Sequence, residues 1–311
     1  MGSGTWSAAT YGAMTGSKIS GGMTFAYDSH ARATGRFEAH KDLDPKRLNR
    51  AGRNVRESRD SDEHPLSTPI IVGFDSTGSM GSVPRVAQTK LAALFQLLID
   101  KKYATDPQIA VATYGDATCD VVPLQFSQFE SDNRIDDNLD RLLLEGGGGG
   151  NDGETSQLLM YYAAHHTEID SFDKRGKKGY LFLIADEKQI PITATHVREV
   201  VGDRQPLGDI TFEGIATAVT EKWKVRILLI NNYAAQTQRS EQFYARLFGP
   251  DSLIIVQDPE TIAETIAAII GFEEGRDLDD VTTDLAAVAG KEVARRVGRC
   301  LDGRTRAGTL R

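Results

Sequence analysis

Ile70-Ile71-Val72-Gly73-Phe74-Asp75-Ser76-Thr77-Gly78-Ser79 is the stretch on which the reading of this chain turns. Its first half is a short apolar run rich in β-branched residues, the pattern of a strand covered on both faces. Its second half is one carboxylate with alternating hydroxyls, which places Asp75, Thr77 and Ser79 at the carboxyl edge of that strand. In open α/β sheets this edge is where ligands bind. Hard divalent cations take oxygen ligands, and Mg²⁺ suits a site of few carboxylates that keeps some water. The stretch therefore reads as a surface magnesium site open to a partner's carboxylate, with Mn²⁺ or Ca²⁺ as alternatives. An ordinary turn is built from the same residues, so the pentapeptide needs support from elsewhere in the chain.

Two further stretches supply it. Glu145 is followed by five glycines and then Asn151-Asp152-Gly153-Glu154-Thr155, just ahead of a helical pattern over residues 156–166. Glycines let main chain approach a ligand closely, and a flexible linker is out of place between two amphipathic helices of a compact domain. Gly179-Tyr180-Leu181-Phe182-Leu183-Ile184-Ala185-Asp186-Glu187 is a second buried strand that ends in a carboxylate.

These three pieces, in this order, resemble the metal-ion-dependent adhesion site (MIDAS) of von Willebrand factor type A (VWA) domains, usually written Asp-x-Ser-x-Ser. The resemblance runs from Ile70 to about Phe272. It implies that Thr77 and Ser79 bind the metal directly, that Asp75 acts through water, and that Asp186 is the final aspartate of the site. A second loop in the family adds a Thr or Asp after a Gly-Gly pair. Here Asn151, Asp152 and Thr155 all stand in range, and the pattern leaves open which of them reaches the metal.

Alternation of strand and helix patterns agrees with that class. Strands are expected near 70–74, 108–114, 120–124, 179–185, 225–230 and 252–257. Helices are expected near 84–100, 131–144, 155–168, 193–201, 211–222, 239–248 and 260–270. Such alternation predicts a doubly wound, mainly parallel sheet covered on both faces. The short link Gly115-Asp116-Ala117-Thr118 permits only a hairpin, so the third strand should be antiparallel at the sheet edge. The family's strand order is 3-2-1-4-5-6. On that topology Asp116 and Asp120 join Glu154 and Glu187 as an acidic rim that recruits the cation, although Asp116 is equally at home as a plain turn residue.

Residues 1–66 are polar and glycine-rich, with scattered aromatics (Trp6, Tyr11, Phe25, Tyr27), and read as an irregular arm. Residues 67–272 hold the VWA-like domain. Residues 273–311 offer one helix, about 281–301, with a small-residue face of Ala286, Ala287, Ala289 and Val293, then a basic tail. Gly12 to Lys18 is one residue short of a phosphate loop and follows no strand. His165 and His166 are adjacent on a helix and point apart.

The 311 residues are 40% hydrophobic and 26% charged, as in ordinary globular proteins. No run of about 18 apolar residues occurs, and the first residues lack signal-peptide and myristoylation patterns. Only two cysteines, Cys119 and Cys300, argue against a disulfide framework; Cys119 reads as a small core residue. A reducing cytoplasm is the expected setting, in a bacterial or phage context. The net charge of −8 argues against general nucleic-acid binding. A haloacid-dehalogenase-type phosphoester hydrolase also opens with a strand and an Asp, but needs a second carboxylate where Thr77 stands. The expectation is thus a non-enzymatic, Mg²⁺-dependent protein–protein interaction module. By the resemblance it is an adaptor or assembly factor whose partner supplies an Asp or Glu, an AAA+ ATPase being one such partner. A structural component that uses the N-terminal arm is the alternative.

Overall fold

The computed structural model describes residues 6–20, 25–80, 83–144, 146, 153–231 and 234–305. Among these residues there are eight strands: β1 (Arg56–Ser58), β2 (Thr68–Asp75), β3 (Pro107–Tyr114), β4 (Leu124–Phe126), β5 (Thr167–Ile169), β6 (Gly179–Ala185), β7 (Trp223–Ile230) and β8 (Leu253–Val256). Six of them form one sheet in the order β4-β3-β2-β6-β7-β8. All its pairings are parallel except β3 with β4. β1 and β5 were not foreseen, and they pair in parallel with each other outside this sheet. Numbered along the whole chain, the sheet therefore does not read 3-2-1-4-5-6; counted among its own six strands alone, it does.

The helices are α1 (Ala8–Ser20), α2 (Ala26–Thr34), α3 (Val83–Asp100), α4 (Arg134–Asp140), α5 (Gln157–His165), α6 (Asp170–Arg175), α7 (Ala194–His196), α8 (Phe212–Lys222), α9 (Ala234–Phe248), α10 (Ile262–Glu273), α11 (Leu278–Val288) and α12 (Lys291–Thr305). β2 explains the layering. All eight of its residues are buried, because neighbours pair on both edges and helices cover both faces. Ile70, Val72 and Phe74 share one apolar layer with α3 and α10 residues such as Phe95 and Ile266. Ile71 faces the other layer with Leu159 of α5 and Trp223. Gly73 lets α5 come close: a Cβ there would meet Leu159 Cδ1 at 2.4 Å.

Three expected segments differ. The edge strand lies at 124–126 rather than 120–124, because residues 116–120 coil into a helical turn closed by Asp120 N donating to Asp116 O at 2.8 Å. The connection is therefore longer than the four residues read from sequence. The C-terminal helix is two helices, broken at Gly290 with φ 92°. They dock through Val281, Leu285, Val297 and Leu301, with Ala286 and Val293 of the small-residue face packed beside them, while Ala287 is exposed. The supposedly irregular arm carries α1, α2 and β1. Trp6 stacks on Phe95 of α3 with ring centroids 4.4 Å apart, and Tyr11, Phe25 and Leu43 join the same apolar layer. Few in number, these anchors are each buried, which composition alone did not convey.

Arg56 fastens the arm from within. Its guanidinium is fully buried and donates to three main-chain carbonyls: Phe126 O at 3.2 Å, Arg47 O at 3.1 Å and Asp44 O at 2.7 Å. The Tyr162 ring lies 5.7 Å from the guanidinium carbon. The guanidinium spreads its donors over three nitrogens and so reaches three carbonyls that lie apart, which the single nitrogen of an ammonium cannot. Arg56→Met should leave those carbonyls unsatisfied and cost about 3 kcal/mol, read as a lower urea midpoint. Arg56→Lys should recover less than half of that loss.

Candidate metal centre

β2 runs out at Asp75, 1% exposed, and the chain turns at once. Ser76 donates from both its amide and its hydroxyl to Tyr114 O on β3, at 2.9 and 3.2 Å. Thr77 N donates to Asp75 Oδ1 at 2.7 Å, so the loop curls back on its own carboxylate. A short 3-10 turn, Gly78–Met80, leads into α3. Asp75 and Thr77 are thus brought together; the side chain of Ser79 lies outside the described set. On the neighbouring strand Phe74 pairs with Ile184. That register carries Asp186 one residue past the level of Asp75, and Asp186 is buried too. The two aspartates stand at the tops of adjacent parallel strands.

The second loop contributes differently. Asn151 and Asp152 lie outside the described residues. Gly146 N donates to Ser76 O at 3.2 Å, which lays the root of the glycine-rich loop on the Asp75 turn. Thr155 is brought to the same region, but its hydroxyl is engaged: it donates to Gly115 O at 2.7 Å and accepts from Ala117 N at 2.9 Å. It ties the β3–β4 connection to the start of α5. Gly153 is required by its conformation, φ 151°, and because a Cβ would meet Lys188 O at 2.6 Å.

The expected acidic rim is divided: Asp116 and Glu154 are buried, while Asp120 and Glu187 are partly exposed. Asp116 is turned into its own loop, accepting from Thr118 N at 2.8 Å and Thr118 Oγ1 at 2.7 Å. Asp120 accepts from Asp116 N at 2.7 Å. Cys119 is exposed in this turn rather than a core residue. Partial desolvation and the Asp116 carboxylate push its thiol up to about 12, which disfavours the thiolate at neutral pH. Glu154, placed on the rim by sequence, is 8% exposed, and its Oε2 has no hydrogen-bond partner among the described residues. Nothing in a Gly-Glu-Thr tripeptide signals that burial. Glu187 is partly exposed and accepts from Gln236 Nε2.

Crowded carboxylates raise one another's cost of ionising. Burial, then Asp186 and Glu187, push Asp75 up to about 7 against the opposing hydrogen bonds from Thr77. Burial, then Asp75, Asp120 and Asp116, push Glu154 up to about 9. Among the described residues no group of three or more His, Cys, Asp or Glu is arranged as a metal site. The donors that converge here include a hydroxyl, Thr77, and all are hard oxygens of the kind Mg²⁺ takes. Among the described residues Glu154 Oε2 is a buried oxygen without a hydrogen-bond partner, which a cation at this edge would satisfy. The residues present therefore fit a hard divalent ion. His166 is engaged elsewhere, with Asn54 O at 2.7 Å and Asp203 Oδ2 at 2.9 Å.

An acid with a raised folded-state pKa stabilises the fold below its unfolded pKa and loses that contribution as pH rises through the folded value. For Glu154 the interval runs from 4.5 to about 9, and for Asp75 from 3.8 to about 7. The metal-free protein should therefore melt several degrees lower at about pH 9 than at about pH 7. Glu154→Gln should flatten that dependence in differential scanning calorimetry.

No family model matches the chain, and no curated protein matches it. Among solved structures, the chain is similar to the pilus adhesin SpaC from Lactobacillus rhamnosus GG in its open conformation. That match has a TM-score of 0.44 and 11% identity, over 70% of this chain and 30% of the adhesin. A second structure of the same adhesin gives 0.45 and 12%, with the same coverage. Proximal thread matrix protein 1 of the mussel byssus gives 0.42 and 10%, over 66% of this chain and 46% of that one. The chain thus spans less than half the length of each, and likenesses at this level carry no argument about function. What stands is an α/β protein with a six-stranded, mostly parallel, Rossmann-like sheet.

Proposed function

We propose that the chain is a VWA-like module that binds a divalent cation, Mg²⁺ by preference, and through it a carboxylate of a protein partner. The observation that carries this reading is the meeting of Asp75, Thr77 and Asp186 at the carboxyl edge of the adjacent strands β2 and β6. Asp75, Thr77, Ser79 and Asp186 would hold the ion, with Glu154 beside them and Asn151, Asp152 and Thr155 as the remaining second-loop candidates. The ion would supply positive charge and an open coordination position at a sheet edge rich in buried carboxylates. The chain's own part is to orient: Thr77 N fixes the Asp75 carboxylate, and Ser76 anchors the turn to β3. An adaptor or assembly role, with an AAA+ ATPase as one partner class, rests on the family resemblance alone. No helix among the described residues is long and apolar enough to cross a membrane.

A metal-dependent phosphoester hydrolase is the second reading, and Glu154 is the observation in its favour. A buried carboxyl beside a candidate metal is a general-acid candidate. Against it, Thr77 stands where that mechanism needs a carboxylate.

Isothermal titration with Mg²⁺ and Mn²⁺ separates these readings. Wild type should bind one ion saturably, and Asp75→Asn and Asp186→Asn should each weaken binding at least about tenfold, about 1.4 kcal/mol. Because Asn keeps the acceptor for Thr77 N and removes a buried charge, metal-free Asp75→Asn should melt no lower than wild type. Absence of binding in wild type would overturn the metal reading. Mg²⁺-dependent turnover of p-nitrophenyl phosphate, lost in Glu154→Gln, would replace the binding role with the hydrolase.

A further inference from the structure

Helix α2 of the N-terminal arm reaches the candidate metal centre through a chain of hydrogen bonds that neither the fold nor the metal reading requires. Asp28 and Arg32 lie one turn apart and pair, Arg32 Nε donating to Asp28 Oδ2 at 2.9 Å. Together they hold both main-chain groups of Leu144, 112–116 residues away in sequence: Leu144 N donates to Asp28 Oδ1 at 3.1 Å, and Arg32 Nη2 donates to Leu144 O. An ion pair thus takes the place of a neighbouring strand. The residue before it is held in the same manner from the domain side. Leu143 N donates to Gln125 Oε1 at 2.9 Å, and Gln125 Nε2 donates to Leu143 O at 2.8 Å.

Two residues beyond Leu144, Gly146 N donates to Ser76 O. Gly146 sits at φ 63°, and a Cβ there would lie 3.4 Å from Arg32 Nη2. The Ser76–Thr77 peptide is the key link. Its carbonyl receives Gly146 N–H, and its N–H donates to the Asp75 carboxylate. One peptide plane therefore joins the root of the glycine-rich loop to the aspartate of the candidate site. If that plane turns, the Asp75 carboxylate loses its main-chain donor and the Thr77 hydroxyl changes direction.

We infer that Asp28 and Arg32 are positioning residues for the metal site, a strap by which the N-terminal arm sets how strongly the cation is held. The inference rests on the metal reading above, and it identifies the arm as a handle. Anything that lifts α2 weakens the ion's hold, and by reciprocity the bound ion tightens α2. Neither residue has an oxygen or charge that need touch the ion.

The test combines hydrogen exchange at the amides of Leu144 and Gly146 with Mn²⁺ titration, in full-length protein. Arg32→Ala should speed exchange at both amides at least about tenfold and weaken Mn²⁺ severalfold, while exchange in β6 and β7 stays at the wild-type rate. Arg32→Lys, which can still reach Leu144 O, should recover part of both effects; Asp28→Ala should reproduce the loss. Unchanged exchange at Gly146 would overturn the strap, and so would faster exchange with unaltered Mn²⁺ affinity. Should wild type bind no Mn²⁺, the metal reading fails and takes with it the arm's hold on the ion. The exchange comparison would then still decide whether α2 pins the loop.

Discussion

A strand buried along its whole length has no solvent-facing side chain until it ends, and β2 ends in a carboxylate. That constraint organises the molecule. Helices cover both faces of β2 and strands occupy both of its edges, so Asp75 emerges into a space already enclosed by the loops after β3 and β6. The negative charge collected there is costly, since each carboxylate is desolvated and faces others. A fold retains such a cluster where the crowded groups have work to do, or where something positive joins them. The cost is met locally by main-chain donors, of which Thr77 N on Asp75 is the closest at hand.

Side chains that imitate main chain recur throughout the structure. Arg56 satisfies three carbonyls from inside the arm. Gln125 and the Asp28–Arg32 pair take the role of missing strands along residues 143–144. Asn133 exchanges two hydrogen bonds with Ser7, at 3.0 and 2.9 Å. Buried irregular segments need partners for their polar groups as much as strands do. In this chain long polar side chains supply them, which is how an arm with little apolar content packs tightly against the sheet.

Much of the domain was legible because periodicity and strand-end chemistry are local. β2, β3, β6 and β7 lie where apolar runs place them, and the approach of Asp75 to Asp186 follows from parallel pairing of two such runs. What escaped depended on distant partners. β1 is three residues long, and only its pairing with β5 makes it a strand. Phe25 reads in sequence as one of a few scattered aromatics, and only the folded layer gives it a surface to pack on. Glu154 could not be read as buried, because charge at a loop end ordinarily implies exposure. The turn at 116–120 displaced β4 because Asp120 folded onto its own loop, a hydrogen-bond choice that spacing does not encode.

The distances along the chain between the arm and its anchors bear on how the molecule comes to be built. Ser7 meets Asn133 across 126 residues, Arg32 meets Leu144 across 112, and Arg53 meets Glu168 across 115. Synthesis proceeds from the N-terminal side, so these arm residues leave the ribosome well before their partners exist. Closing such wide loops is slow. For that interval Trp6, Tyr11 and Phe25 stand in water as exposed aromatic groups, the kind of surface that chaperones recognise and that aggregates. The arm thus waits for partners that are made more than a hundred residues after it.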